Sequence, residues 1–202
     1  DMIHHGAAVA RGTKNALVVV DMPFMSYQSS VHDAVVNAGR LMKEARANAV
    51  KLEGGVEVAD RIRAIVDCQI PVCAHIGLTP QGINALGGFK VQGKTADSAR
   101  KLLEDAHAVE EAGAFAVVLE AIPAELAERV SAELTIPTIG IGAGAGCDGQ
   151  VLVIHDMLGI NKGFSPRFLR RYADLHTVMT GAVEQYVRDV KECDFPNEKE
   201  QY

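Results

Sequence analysis

Three apolar, strand-like runs in this chain end on a carboxylate: residues 16–20 before Asp21, 49–52 before Glu53, and 116–119 before Glu120. In parallel-sheet folds the side chains at the carboxyl ends of strands converge on one rim, while the strands themselves, buried on both faces, read as continuous apolar runs. Three acids on such a rim could hold a metal ion, act as a base, or do both. Each has a plainer reading as well. Asp21, followed by Met22-Pro23-Phe24, would serve equally as a helix cap. Glu120 precedes Ala121-Ile122-Pro123, which would place its carboxyl among apolar groups, raise its pKa and make it a better base near neutral pH. Its alternative is a capping or salt-bridging role.

Lys51 and Glu53 are two apart, so the period-2 geometry of a strand points both to one side and sends Leu52 to the other. A cation and an anion side by side there suit a substrate and metal site, or a structural buried ion pair. Gly54-Gly55 removes side-chain bulk and lets a ligand approach the backbone. His75 ends the run Pro71 to Ile76, either as a donor to substrate or as hydrogen-bonded structure. His155-Asp156 ends the last run, and Asp156 reads as structural. Gly140-Ile141-Gly142-Ala143-Gly144 suggests an anion-cradling loop. Its spacing is not GxGxxG and no acidic residue follows at the dinucleotide distance, so tight packing explains it equally well. Leu86 to Lys94 is Gly-rich and polar, in keeping with a mobile lid or an ordinary surface loop.

The elements that must position these residues alternate. Strand-like runs fall at 16–20, 49–53, 70–76, 115–120, 136–141 and 150–155. Helical periodicity covers 1–11, 31–45, 58–66 and 165–188. It is clearest after Lys94, where Ala99, Leu102, Leu103, Ala106 and Val109 share a face and Gly113 stops the helix. Pro123 suits the first turn of another helix, presenting Leu126, Val130 and Leu134 inward. This alternation predicts an α/β chain with a parallel sheet. Six strands fit a doubly wound sheet or part of a (β/α)8 barrel, which needs eight strands and about 250 residues. Residues 1–11 read as a helix feeding the first strand, with no initiator Met. That suggests a single barrel domain over residues 1–202 that lacks its first two strands, roughly 50 to 70 residues.

Composition narrows the partners. The 202 residues are 48% hydrophobic and 23% charged with a formal net charge of −6, and an acidic chain is poorly suited to nucleic acid or an anionic membrane. A small soluble substrate is the expectation. No apolar run approaches the roughly 20 residues of a membrane span, and the amino terminus has no signal pattern, so a cytoplasmic location is expected. The four cysteines form no CxxC pair, which favours reduced thiols, with Cys73 as buried filler.

Seven segments in order, Asp21-Met22-Pro23-Phe24, Val50 to Gly55, His75 to Gln81, Gly87 to Gly93, Val118-Leu119-Glu120, Gly140 to Gly144 and Asp148 to Leu152, resemble the ketopantoate hydroxymethyltransferase family of pantothenate biosynthesis. The resemblance runs from about Asp1 to Pro196. It implies a (β/α)8 TIM barrel, assembly as a homodecamer, Mg2+, and 5,10-methylenetetrahydrofolate as one-carbon donor to 3-methyl-2-oxobutanoate. By position it implies that Asp21 and Glu53 are metal-site carboxylates, Asp21, Lys51 and His75 contact substrate, and Glu120 takes the proton. The family's Asp-Ser pair on an earlier strand has no counterpart here, and Phe89 stands where Tyr is common. Two other functions fit the same residues: a different Mg2+-dependent 2-oxo acid lyase or carboligase, and a catalytically inert assembly or binding protein.

Overall fold

A computed structural model describes residues 1–202, in two compact units, Asp1–Val151 and Leu152–Tyr202. The first holds a six-stranded, wholly parallel sheet: β1 (Val19–Asp21), β2 (Ala49–Glu53), β3 (Val72–Gly77), β4 (Ala116–Glu120), β5 (Thr138–Ile141) and β6 (Gly149–Gln150). Its strand order is 1-2-3-4-5-6. A doubly wound sheet reverses its order at a switch point, and this one does not, so the winding is that of a β/α barrel. No pairing joins β1 to β6.

Helices α1 (Met2–Gly12), α2 (Val31–Glu44), α3 (Ala59–Asp67), α4 (Ile83–Leu86), α5 (Ala96–Glu111) and α6 (Ala124–Glu133) fall between or before the strands. Their starts are written locally. Ser30 caps α2 by accepting from the Asp33 N–H at 3.0 Å, and Thr95 with Ser98 forms a reciprocal capping box on α5. Pro123 lies one residue before α6, where its fixed φ and missing N–H cost nothing.

Alternate residues of the strands go to different cores. Val20, Val50, Leu52, Val72, Ala74, Ile76, Val117 and Leu119 pack with Leu41, Ile62, Ile65, Leu102, Val109 and Val130 of the helices. Burying each such side chain contributes about 2 kcal/mol. On the opposite face lies a much smaller apolar cluster, Cys73, Ala116 and Val118 with Val19, Phe115, Ile139 and Ile141. Cys73 is buried there as expected, and burial pushes its thiol up to about 11.

The second unit contains α7 (Ile154–Met157) and α8 (Leu175–Lys191). Two expectations need correction here. The strand expected over 150–155 ends at Gln150, and the helix expected from Ser165 begins only at Leu175, where Asp174 caps it by accepting from the Thr177 N–H. The apolar run Val151 to Ile154 has no polar alternation, so periodicity does not separate a strand from the approach to a helix. Asp156 is buried and accepts from Asn161 Nδ2 at 3.0 Å. No helix is long and apolar enough to cross a membrane.

Candidate active site

Register decides which side chains meet. Asp21 is opposite Lys51 and Lys51 opposite Cys73; one rung up, Glu53 is opposite His75 and His75 opposite Val118; above that, Gly77 is opposite Glu120. All five polar residues fall on the face that carries the small cluster, because Asp21, His75 and Glu120 are each two positions from a member of it, Lys51 is in register with one, and Glu53 is two positions from Lys51. The three strand-end carboxylates inferred from sequence therefore do share a rim, joined by Lys51 and His75.

Contacts run through the group in series. Lys51 Nζ lies 3.1 Å from Asp21 Oδ2 and 3.2 Å from His75 Nδ1. An ammonium group has only donors, so Nδ1 accepts and the ring proton belongs on Nε2. Nε2 in turn is 3.1 Å from Glu120 Oε2, with the carboxylate off the N–H axis, so that this buried nitrogen has no aligned partner. Glu53 Oε1 stands 4.0 Å from Nδ1. His75 is 3% exposed and Glu53 8%, whereas the Asp21 side chain is 45% exposed and opens the cluster to solvent. Glu120 is thus set against an imidazole rather than among the wholly apolar neighbours its sequence context suggested.

Glu53 is held from a second side. Its Oε2 accepts the Gln81 N–H at 2.9 Å, and its own N–H donates to the Tyr27 hydroxyl at 3.1 Å. Burial pushes the Glu53 carboxyl above the usual range, and the Gln81 N–H offsets part of that by favouring the charged form. Tyr27 is fully buried, which drives its phenol up to about 12. Neither Tyr27 nor Gln81 was marked by sequence pattern: a Tyr 26 residues before and a Gln 28 residues after Glu53 carry no periodic signal.

Gly77 is required where β3 passes Glu120. Its φ is +92°, and a Cβ there would come within 2.4 Å of the Glu120 carbonyl oxygen. In the Gly-rich run that begins in β5, Gly144 lies tight against α6, where a Cβ would meet the Ala124 Cβ at 2.5 Å. The 86–94 stretch is tied at its far end, with the Gln92 N–H donating to the Ala121 carbonyl at 2.9 Å. A cavity of 230 Å3 beside this stretch is lined by Gly54, Ile76, Gly77, Lys101 and Asp105 among others, and by none of the five polar rim residues.

No three His, Cys, Asp or Glu side chains converge tightly enough to enclose a metal ion. A hard divalent cation does not need them to. Mg2+ keeps several waters and is commonly held by one or two carboxylates plus substrate oxygens, and Asp21 and Glu53 on adjacent strands supply oxygen donors of that kind.

Comparison with known proteins adds the following. The family model described as ketopantoate hydroxymethyltransferase matches residues 1–198. A 3-methyl-2-oxobutanoate hydroxymethyltransferase of Enterococcus faecalis is 64% identical over 196 residues, 97% of this chain and 71% of the relative. Its namesake in Phocaeicola vulgatus is 63% identical over 201 residues, 100% of this chain and 74% of the relative. Among solved structures, a phosphonopyruvate hydrolase aligns over 98% of this chain and 71% of its own length with a TM-score of 0.53 at 16% identity, a likeness of fold alone.

Proposed function

Because the chain belongs to the ketopantoate hydroxymethyltransferase family, and so to the hydroxymethyltransferase enzymes, we propose that it moves the one-carbon unit of 5,10-methylenetetrahydrofolate onto C3 of 3-methyl-2-oxobutanoate. The products are 2-dehydropantoate and tetrahydrofolate, with one water consumed because the product carries a new hydroxyl. The reading includes a (β/α)8 barrel to which the six strands belong. The observation that carries it is the alignment of Asp21, Lys51, Glu53, His75 and Glu120 on one rim, linked by contacts of 3.1 to 4.0 Å.

Glu120 takes the C3 proton, since its carboxylate has no cation bound directly to it and faces the partnerless Nε2 of His75. Lys51 offsets the negative charge of the 2-oxo acid and holds His75 in the tautomer with its proton on Nε2. Asp21 and Glu53 would hold Mg2+, which when bound supplies positive charge to the carboxylate and keto oxygens and stabilises the enolate. The deprotonated C3 then attacks the methylene carbon as one of its two C–N bonds to the folate opens; water displaces the remaining folate nitrogen to leave the hydroxymethyl group, and the two folate nitrogens take up the C3 proton, by way of Glu120, and the proton given up by the water. Self-association as a decamer belongs to the same reading.

The test is solvent deuterium exchange at C3 of 3-methyl-2-oxobutanoate, followed by NMR with Mg2+ and no folate. Exchange in the parent and its loss in Glu120→Gln are expected. A parent that forms product without any exchange, or a Glu120→Gln variant that exchanges normally, removes Glu120 from the role of base.

A further inference from the structure

The parallel ladder between β1 and β2 stops one rung short of where both strands could carry it. Met22 N–H donates to the Lys51 carbonyl at 2.8 Å. The next rung of a regular parallel ladder would then join the Glu53 N–H to the Met22 carbonyl. Neither group makes that bond. The Glu53 N–H donates instead to the Tyr27 hydroxyl at 3.1 Å, the hydroxyl donates to Gln81 Oε1 at 2.8 Å, and Gln81 Nε2 donates to the Met22 carbonyl at 2.8 Å. Two side chains have replaced one rung.

The replacement is specified rather than incidental. Gln81 Oε1 also accepts from Gln28 Nε2 at 3.2 Å, so its two lone pairs are both used and the amide has one sensible orientation, with Nε2 toward Met22. Tyr27 is wholly buried, and leaving either end of this relay unpaired would strand a buried polar group. Gln81 then acts twice, because its own N–H holds Glu53 Oε2 at 2.9 Å.

We infer that Tyr27 and Gln81 form a wedge that opens the β1–β2 ladder at the rim and thereby sets the separation of Asp21 from Glu53 and the orientation of the Glu53 carboxylate. The inference rests on the proposed function in taking those two carboxylates as the cation-holding pair. It goes further in two respects: it assigns positioning roles to two residues outside the proposed catalytic and cation-holding set, and, with Oε2 turned to the Gln81 N–H, it leaves Oε1 as the Glu53 oxygen without a hydrogen bond and so the one a cation would meet. Ligand orientation of this kind is commonly worth 10- to 100-fold in metal affinity.

The experiment uses the intact enzyme, with Mn2+ as the probe in the presence of 3-methyl-2-oxobutanoate, and reads free Mn2+ by electron paramagnetic resonance. Tyr27→Phe keeps the ring and removes the hydroxyl; Gln81→Ala removes the amide and keeps the N–H to Glu53. Each should raise the Mn2+ Kd about ten-fold at a temperature well below its own unfolding midpoint. The double variant should be no worse than the weaker single one, since either change alone breaks the relay. Should Tyr27→Phe fail to fold, Gln81→Ala carries the test. Unchanged affinity in the folded variants, or additive losses, overturns the wedge while leaving the carboxylate pair intact as a reading. A parent enzyme that binds no Mn2+ at all overturns the carboxylate pair and the wedge together.

Discussion

The two faces of the sheet are made from the same strands and have opposite contents. Toward the helices, every second residue of β2, β3 and β4 is an apolar group fully or nearly fully buried. Toward the other side, the intervening positions change along the strands, from Cys73, Ala116 and Val118 to His75 and Glu120 near the carboxyl ends. Apolar burial is therefore spread along the whole of one face, and the charged and imidazole side chains are confined to the last rung or two of the other. A strand can hold both because neighbouring residues never share an environment.

If that division is real, substitutions on the two faces should separate rate from stability. The largest effect is expected from Glu120→Gln, which should lower C3 exchange by about 10³-fold while the thermal unfolding midpoint stays near that of the parent; a large fall in the midpoint would show that the polar rim is also structural. Leu52→Ala, one residue from both Lys51 and Glu53 but facing the helices, should cost about 3 kcal/mol by urea denaturation, with the rate per folded molecule little changed. A collapse of activity in the folded fraction would break the comparison, by showing that the helix face controls rim geometry.

Smaller changes sharpen it. Thr95→Ala removes the capping box of α5, a helix that backs the packed face, and should cost about 1 kcal/mol in the same denaturation assay with no change in substrate KM. The least effect concerns pH. Asp148 accepts from the N–H and hydroxyl of Thr138 at 2.8 and 3.0 Å, and the first of these chiefly holds its carboxyl below the usual range. A depressed folded-state pKa means stability present above the unfolded value and lost as pH falls through the folded one. Asp148→Asn should accordingly make the acid limb of the melting-temperature profile shallower; an unchanged limb would show that the carboxylate is not linked to folding.

Much of this was legible in the sequence, for identifiable reasons. Residues 49–53 are a strand as expected, and Lys51 and Glu53 do point together, because alternation is a local property of extended chain. The barrel-like winding was expected through the family resemblance rather than from the strand pattern itself: six strand-like runs do not state their order, and pairing in sequence distinguishes this sheet from a doubly wound one. The contact of His75 with Glu120 spans 45 positions and follows from register between β3 and β4, which no window of sequence contains. Tyr27 and Gln81 escaped for the same reason, since their value lies in each other. The close packing of Gly144 on α6 was likewise not legible in the Gly140 to Gly144 run alone, because Ala124 lies 20 positions away.

Gly77 bears on how such a site can change. The place where its Cβ would go is already taken by the backbone of Glu120, so the Glu120 carboxylate is positioned partly by an atom that is missing. A single methyl at residue 77, uncharged and unable to donate or accept a hydrogen bond, would have to displace Glu120. Tolerance to substitution along this rim is thus governed by free space as much as by charge, and a variant library could find inactive proteins in which every acid, the lysine and the histidine are still present.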